Sequence, residues 1–371
     1  MKANINKRLR ITFVYVLIIA LLTVQGCSAG DAGNKEATPS QSAHSPEVTE
    51  SPKPTESPEP TESPEPTYAP YRYETGKHCS SEMLKDIVGD EVLKAAYDVI
   101  DAFTAHKTSV KVDFKGNYGN FAEELGFALN CIYPPFMACA EYNSLHAYNA
   151  KEGMISWKYR FDKSECEKMQ ATCDEVTEKY MSNLREGDTD TAKALLLYNA
   201  LTTDAVYDYD AMENPITDEA DFERRTASYN ALVNKSGICN SYSFALVYLY
   251  IHAGIDCITV SSQAGEGAHM WVMAKLAGKF YYLDPTWDLG GGFYNFGMTS
   301  QDRASWAGSY AEDTCYIHSV YVSDRYTIDD ERFADMRGYL TKGGSYTVEI
   351  DREKQVAVIS NETTTYSIDC H

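Results

Sequence analysis

The chain has no apolar run long enough to cross a bilayer as a helix. Its longest, Ile11 to Val24, is interrupted by Thr12 and Thr23 and falls short of the roughly 20 residues a span requires. It has no excess of positive charge: 33 Lys and Arg stand against 54 Asp and Glu, for a formal net charge of −21, which argues against nucleic acid or anionic lipid as the main partner. It has no phosphate loop, because Gly290-Gly291-Gly292 is followed by neither Lys-Ser nor Lys-Thr. It has no four-ligand metal spacing: Cys315-x-x-His318 and the Cys166/Cys173 pair are isolated pieces, so neither a metal nor another cofactor is expected. Proline is scarce over most of the chain, with nine of the 13 lying between Pro39 and Pro70.

What is present begins with a basic stretch, Lys7-Arg8-Leu9-Arg10, ahead of the Ile11–Val24 run, which has the proportions of a signal-peptide core. The run ends in Val24-Gln25-Gly26-Cys27. This resembles the lipobox of bacterial lipoproteins, with Gln25 where a small residue is usual. The resemblance implies a signal peptide over residues 1–26 and lipidation of Cys27. It places the protein at the extracellular face of a bacterial cytoplasmic membrane, touching the bilayer only through acyl chains that bury their methylenes there. Residues 27–70 offer almost nothing to bury. Three near-copies of one hexapeptide, Thr49 to Pro54, Thr55 to Pro60 and Thr61 to Pro66, space prolines too closely for helix or sheet, so an extended tether is expected.

Beyond residue 70 apolar periodicity appears. Residues 80–106 predict a helix, Ser109–Phe114 a strand, Asn120–Ile132 a helix stopped by Pro134-Pro135, Gly153–Phe161 a strand and Lys163–Leu184 an amphipathic helix. No chemistry-bearing cluster lies in residues 71–185, which read as a mostly helical N-terminal domain. Asp188–Thr203 predicts a further helix capped by Asp188 or Thr189. Cys239–Ala253 is apolar around most of its circumference, the mark of a buried helix, and Gly254 ends it. Strands follow at Asp256–Ser261, His269–Leu276 and Lys279–Asp284, the last two joined by an Ala277-Gly278 turn. The fold class is therefore α+β, a central helix packed on an antiparallel sheet. Residues 186–310 form this domain. Residues 311–371 form a C-terminal extension with a hairpin at Ser345–Ile350 and Gln355–Ile359 and a further strand at Thr364–Ile368.

A thiolate nucleophile needs a lowered proton affinity, which a helix N-terminus and a neighbouring imidazolium both supply. Cys239 opens the buried helix. His269 opens one strand and Asp284 closes the next. Pairing about a turn near residue 277 sets His269 and Asp284 opposite each other, about 5 Å apart at Cβ. The three are thus candidates for nucleophile, base and orienting group.

The run Tyr229-Asn230-Ala231-Leu232-Val233-Asn234, then Gly237-Ile238-Cys239, Gly254-Ile255, His269-Met270-Trp271 and Tyr282-Leu283-Asp284-Pro285-Thr286-Trp287-Asp288 resembles the transglutaminase-like superfamily, over about residues 190–300. The resemblance implies a papain-related Cys-His-Asp triad at Cys239, His269 and Asp284. It also implies an oxyanion hole with the Cys239 backbone N–H and a second donor, for which Tyr229 is a candidate; Trp271 and Asp288 are candidates for surrounding groups. The family's Gly-Tyr-Ala after the cysteine is Ser241-Tyr242-Ser243 here, and Val272 stands where Asn is common, which bears on substrate choice. The expected protein is a cysteine enzyme acting on amide bonds of a protein or cell-wall peptide, as protease, amidase or transamidase. The alternative is a catalytically idle binding module at the same surface. Apart from Cys27 and Cys239, eight cysteines (Cys79, Cys131, Cys139, Cys166, Cys173, Cys257, Cys315 and Cys370) permit up to four disulfides of open connectivity.

Overall fold

The computed structural model describes residues 68–371 except 74–76, 116–119, 142–151, 214–223, 263–267, 308–313, 316–319 and 341–343. The expected signal peptide, the lipidation site Cys27 and all but the last residues of the tether lie outside the described residues. Among those described, no helix is long and apolar enough to cross a membrane.

The N-terminal part is helical: α1 (Glu82–Val88), α2 (Asp90–Thr104), then after β1 (Ser109–Lys111) α3 (Phe121–Ile132) and α4 (Pro134–Cys139), and after β2 (Met154–Ser156) α5 (Lys163–Met181). The single helix expected over residues 80–106 is two, because Gly89 takes φ 82°, ψ 159°, a conformation that ends one helix and starts the next. Pro134-Pro135 stops α3 as expected but also opens α4, since proline suits the first helical turn, where its missing N–H costs nothing. The two expected strands shrink to three paired residues each, Ser109–Lys111 against Met154–Ser156. Helix α5 is capped by the Asp162 carboxylate, which accepts from the Glu165 N–H.

Then come α6 (Asp190–Thr202), β3 (Val206–Tyr207), α7 (Tyr209–Glu213), α8 (Ser228–Val233), β4 (Ser236–Gly237), α9 (Cys239–His252), β5 (Cys257–Ser262), β6 (His269–Leu276) and β7 (Lys279–Leu283). The Thr189 hydroxyl caps α6. Helix α9 is the pivot. It packs on β5 and β6 on one side and on α3, α6 and α8 on the others, which accounts for its lack of a polar face. The Ser243 hydroxyl donates to the backbone oxygen of Met270 at 3.0 Å, and the Tyr250 hydroxyl to that of Ala194 at 3.0 Å, so helix, sheet and α6 are tied at buried points. The remaining elements are a 3₁₀ turn (Pro285–Asp288), α10 (Ser300–Ala307), β8 (Thr314–Cys315), β9 (Val320–Tyr321), α11 (Ala334–Tyr339) and the meander β10 (Thr347–Asp351), β11 (Val356–Ser360), β12 (Thr365–Asp369). The sheet order is β7-β6-β5-β8-β9, antiparallel throughout.

The architecture is mixed α+β, with one helix laid on an antiparallel sheet. The divisions expected at 185/186 and 310/311 do not interrupt the core. One cluster of buried apolar residues runs from Cys79 to Cys370, and the Asp188 carboxylate on the approach to α6 pairs with Arg352 of the C-terminal meander at 2.8 Å. The N-terminal helices reach the sheet as well: the Ser81 hydroxyl donates to the Cys257 backbone oxygen at 2.6 Å. Helices this short cannot bury their apolar faces alone, so they share the core they adjoin.

The start of α9 is set by a tight approach. The Ser241 hydroxyl accepts from the Ile238 N–H at 3.0 Å and donates to the Thr226 backbone oxygen at 2.7 Å. A Cβ on Gly237 would lie 2.5 Å from the Ser241 Cβ. Gly237→Ala is therefore expected to destabilise the fold by about 1–3 kcal/mol by overpacking, read as a lower midpoint in urea denaturation. An unchanged midpoint would show that this turn relaxes freely.

Candidate active site

Cys239 is the first residue of α9, where a backbone N–H has no acceptor within the helix and the partial positive charge of the aligned peptides is greatest. It is partly exposed, whereas the other described cysteines are buried. Its thiol is among the neighbours that act on the charge of the His269 ring.

His269 and Asp284 meet, but not through the register expected. The Ala277-Gly278 turn has two residues with positive φ, 48° and 80°, and sets Leu276 opposite Lys279. The last paired residues are Val272 and Leu283. Continuing that count puts Asp284 opposite Trp271, not His269. His269 and Trp271 share one face of β6, so the Asp284 carboxylate reaches diagonally to the imidazole. The contact is nonetheless close: His269 Nε2 lies 2.6 Å from Asp284 Oδ2.

The pair is buried, His269 at 7% exposure and Asp284 at 0%. Burial works against the charged form of each. For His269 it is outweighed by the Asp284 charge and hydrogen bond and by the Cys239 thiol, so the imidazole is pushed up to about 9. For Asp284 it is outweighed by His269 and Arg303, and the carboxyl is held below its usual range.

Arg303 completes the cluster. It is 1% exposed, and its Nη1 donates to Asp284 Oδ2 at 3.0 Å. Its guanidinium carbon stands 4.0 Å from the ring centroid of Trp271 and 5.4 Å from that of Trp287. The same two indoles flank His269, with ring centroids 6.0 and 5.0 Å away and planes tilted by 23° and 27°. Cation, indoles and imidazole form one stack. Asp288, expected near the site, is 2% exposed. Its Oδ2 accepts from the Tyr198 hydroxyl at 2.6 Å and from the Asn295 N–H at 2.8 Å, and its Oδ1 from the Asn295 side-chain amide at 2.8 Å. Burial raises its carboxyl to about 6 against the pull of those donors. The Tyr198 hydroxyl also lies 2.9 Å from the Asp284 backbone oxygen, so this network braces the chain that carries Asp284.

Tyr229, the candidate second oxyanion donor, is buried on α8, and burial followed by the neighbouring Cys173 and Cys139 raises its hydroxyl to about 12. Of the cysteines that permitted disulfides, Cys139, Cys166, Cys173, Cys257 and Cys370 are buried free thiols; the Cys315 side chain lies outside the described residues. Of the residues missed in the sequence, Arg303 and Asn295 carry no periodic or motif signal. Tyr198 lies on a helix that reads as core.

The profile of the Transglutaminase-like superfamily matches residues 161–285, from α5 to the start of the 3₁₀ turn, so the chain carries a domain of that superfamily. Among solved structures, the chain resembles a TGase at 12% identity and TM-score 0.28, over 34% of each chain. It also resembles a candidate cysteine protease from Cytophaga hutchinsonii at 14% identity and TM-score 0.24, over 36% of this chain and 46% of that one. The chain thus spans less than half the length of either structure. No curated protein matches it.

The buried charges give two predictions. Asp284→Ala strands the Arg303 cation and is expected to cost about 3–5 kcal/mol, read by chemical denaturation; a loss under 1 kcal/mol would mean that Arg303 finds water. His269 binds its proton more tightly folded than unfolded, where its midpoint is about 6.5. That contribution is complete below about 6.5 and disappears as pH rises through about 9. The stability advantage of the wild type over His269→Gln is therefore expected to shrink between those values, and a gap independent of pH would contradict it.

Proposed function

We propose that this transglutaminase-like domain is a cysteine enzyme acting on amide bonds through Cys239, His269 and Asp284. What supports the reading is a partly exposed thiol at a helix start, an imidazole on whose charge that thiol acts, and a buried carboxylate 2.6 Å from the ring.

Each group has a part in the chemistry. The imidazole takes the thiol proton, and the helix N-terminus favours the resulting thiolate. The sulfur attacks the amide carbonyl, and the N–H of Cys239 is placed to stabilise the oxyanion. The imidazolium then protonates the leaving amine, and a thioester remains on Cys239. Water or a second amine takes up the acyl group, which divides protease or amidase from transamidase. Asp284 holds the ring in the tautomer that turns a bare nitrogen to the thiol. The family positions that depart from the common pattern serve packing: Ser241 braces the start of α9, and Val272 is buried in β6.

The reading extends to location. The Lys7–Arg10 stretch, the Ile11–Val24 run and Cys27 support lipid anchoring at the extracellular face of the membrane, with protein or cell-wall peptide as substrate.

Iodoacetamide is expected to alkylate Cys239 at least about tenfold faster than any other thiol, because it is partly exposed at a helix start. Peptide mapping reads it, and equal slow labelling of all thiols would favour the idle module. Incubation of casein with a fluorescent amine then separates amine incorporation from cleavage. Cys239→Ala is expected to abolish both, and activity surviving in that variant would remove the assignment.

A further inference from the structure

We propose that Arg303 is a positioning residue that competes with His269 for a single oxygen of Asp284, and so limits how tightly the imidazole holds its proton. The inference rests on the reading above only for what the imidazole is used for.

The geometry is specific. Asp284 Oδ2 is 2.6 Å from His269 Nε2 and 3.0 Å from Arg303 Nη1, whereas the buried Oδ1 has no hydrogen-bond partner among the described residues. The carboxylate therefore meets both cationic partners through the same atom. In a buried site, a carboxylate devoted to an imidazole alone would hold the imidazolium so strongly that proton release to a leaving amine becomes costly. A guanidinium on the same oxygen draws off part of that charge. It also keeps Asp284 ionised despite its burial, which a neutral donor would do less well.

Arg303 is held to this task. Its guanidinium stands over Trp271 and Trp287, the two indoles that also flank His269, so it has little room to turn away. Arginine fits the place because it stays charged when buried and stacks on aromatic faces. The other groups facing the imidazole are Cys239 from α9 and Asp284 from the end of β7. Asp288, from the 3₁₀ turn, adds its charge to Asp284, with the Tyr198 hydroxyl of α6 between them.

The test uses Arg303→Gln and Arg303→Lys in the full chain. The His269 titration is followed by NMR on histidine-labelled protein in a Cys239→Ala background, which removes the thiol. Loss of the cation in Arg303→Gln is expected to raise the His269 midpoint by about one pH unit or more. Arg303→Lys keeps a charge but not the fork, and should raise it in the same direction by less. With Cys239 intact, kcat on a glutamine-containing or peptide substrate is expected to fall about tenfold while KM stays within about twofold. A variant that lowers the melting temperature yet leaves the midpoint unmoved would make Arg303 a strut and overturn the inference. If Arg303→Gln does not fold, an unmoved or lowered midpoint in Arg303→Lys does the same. A moved midpoint in a protein without turnover would leave this inference standing and remove the enzymatic reading. Turnover with an unmoved midpoint would do the reverse.

Discussion

The arrangement of the site depends on one buried carboxylate. Asp284 has no access to water, and an isolated ionised carboxylate in such a place is among the most costly groups a fold can contain. It stays ionised because a ring from β6 and a guanidinium from α10 come to it from opposite sequence directions. Each of those groups is itself buried and needs the carboxylate in turn. The end of the β6–β7 hairpin, the 3₁₀ turn after it and α10 are therefore fixed to one another by charge as well as by packing. The Tyr198–Asp288–Asn295 network behind them holds the same turn from the α6 side.

Onto that fixed point α9 delivers the sulfur. Its apolar circumference lets it pass through the core, and its first residue, Cys239, is the partly exposed one. Gly237 and Ser241 make the entry tight enough that the chain passes from β4 into the helix through the single residue Ile238. The thiol is thus held at the start of a buried helix while remaining partly exposed itself.

The other thiols show what the environment contributes. Burial raises Cys139, Cys166, Cys173, Cys257 and Cys370, the last to about 11 and Cys173 to about 12, so these sulfurs stay protonated and inert. They share a residue type with Cys239 but have neither its helix start nor its imidazole neighbour. Reactivity in this chain follows placement, and cysteine content alone says little about it.

Much of the C-terminal half was legible beforehand because its signals are local. The all-round apolar pattern of α9, the two-residue turn at Ala277-Gly278 and the extents of β5, β6 and β7 follow from periodicity and turn chemistry, which act over a few residues. The residue types at 239, 269 and 284 and their places at element ends were likewise visible. Gly89 was less legible, because a glycine inside a helical pattern does not announce a positive φ. What only the tertiary structure decided is how the ends meet: the diagonal approach of Asp284 and the presence of Arg303 against the indoles. Register shifts by one or two residues leave composition and periodicity unchanged. The partner of a buried charge is selected by the energy of desolvation across elements distant in sequence, and that selection leaves no local trace in the chain.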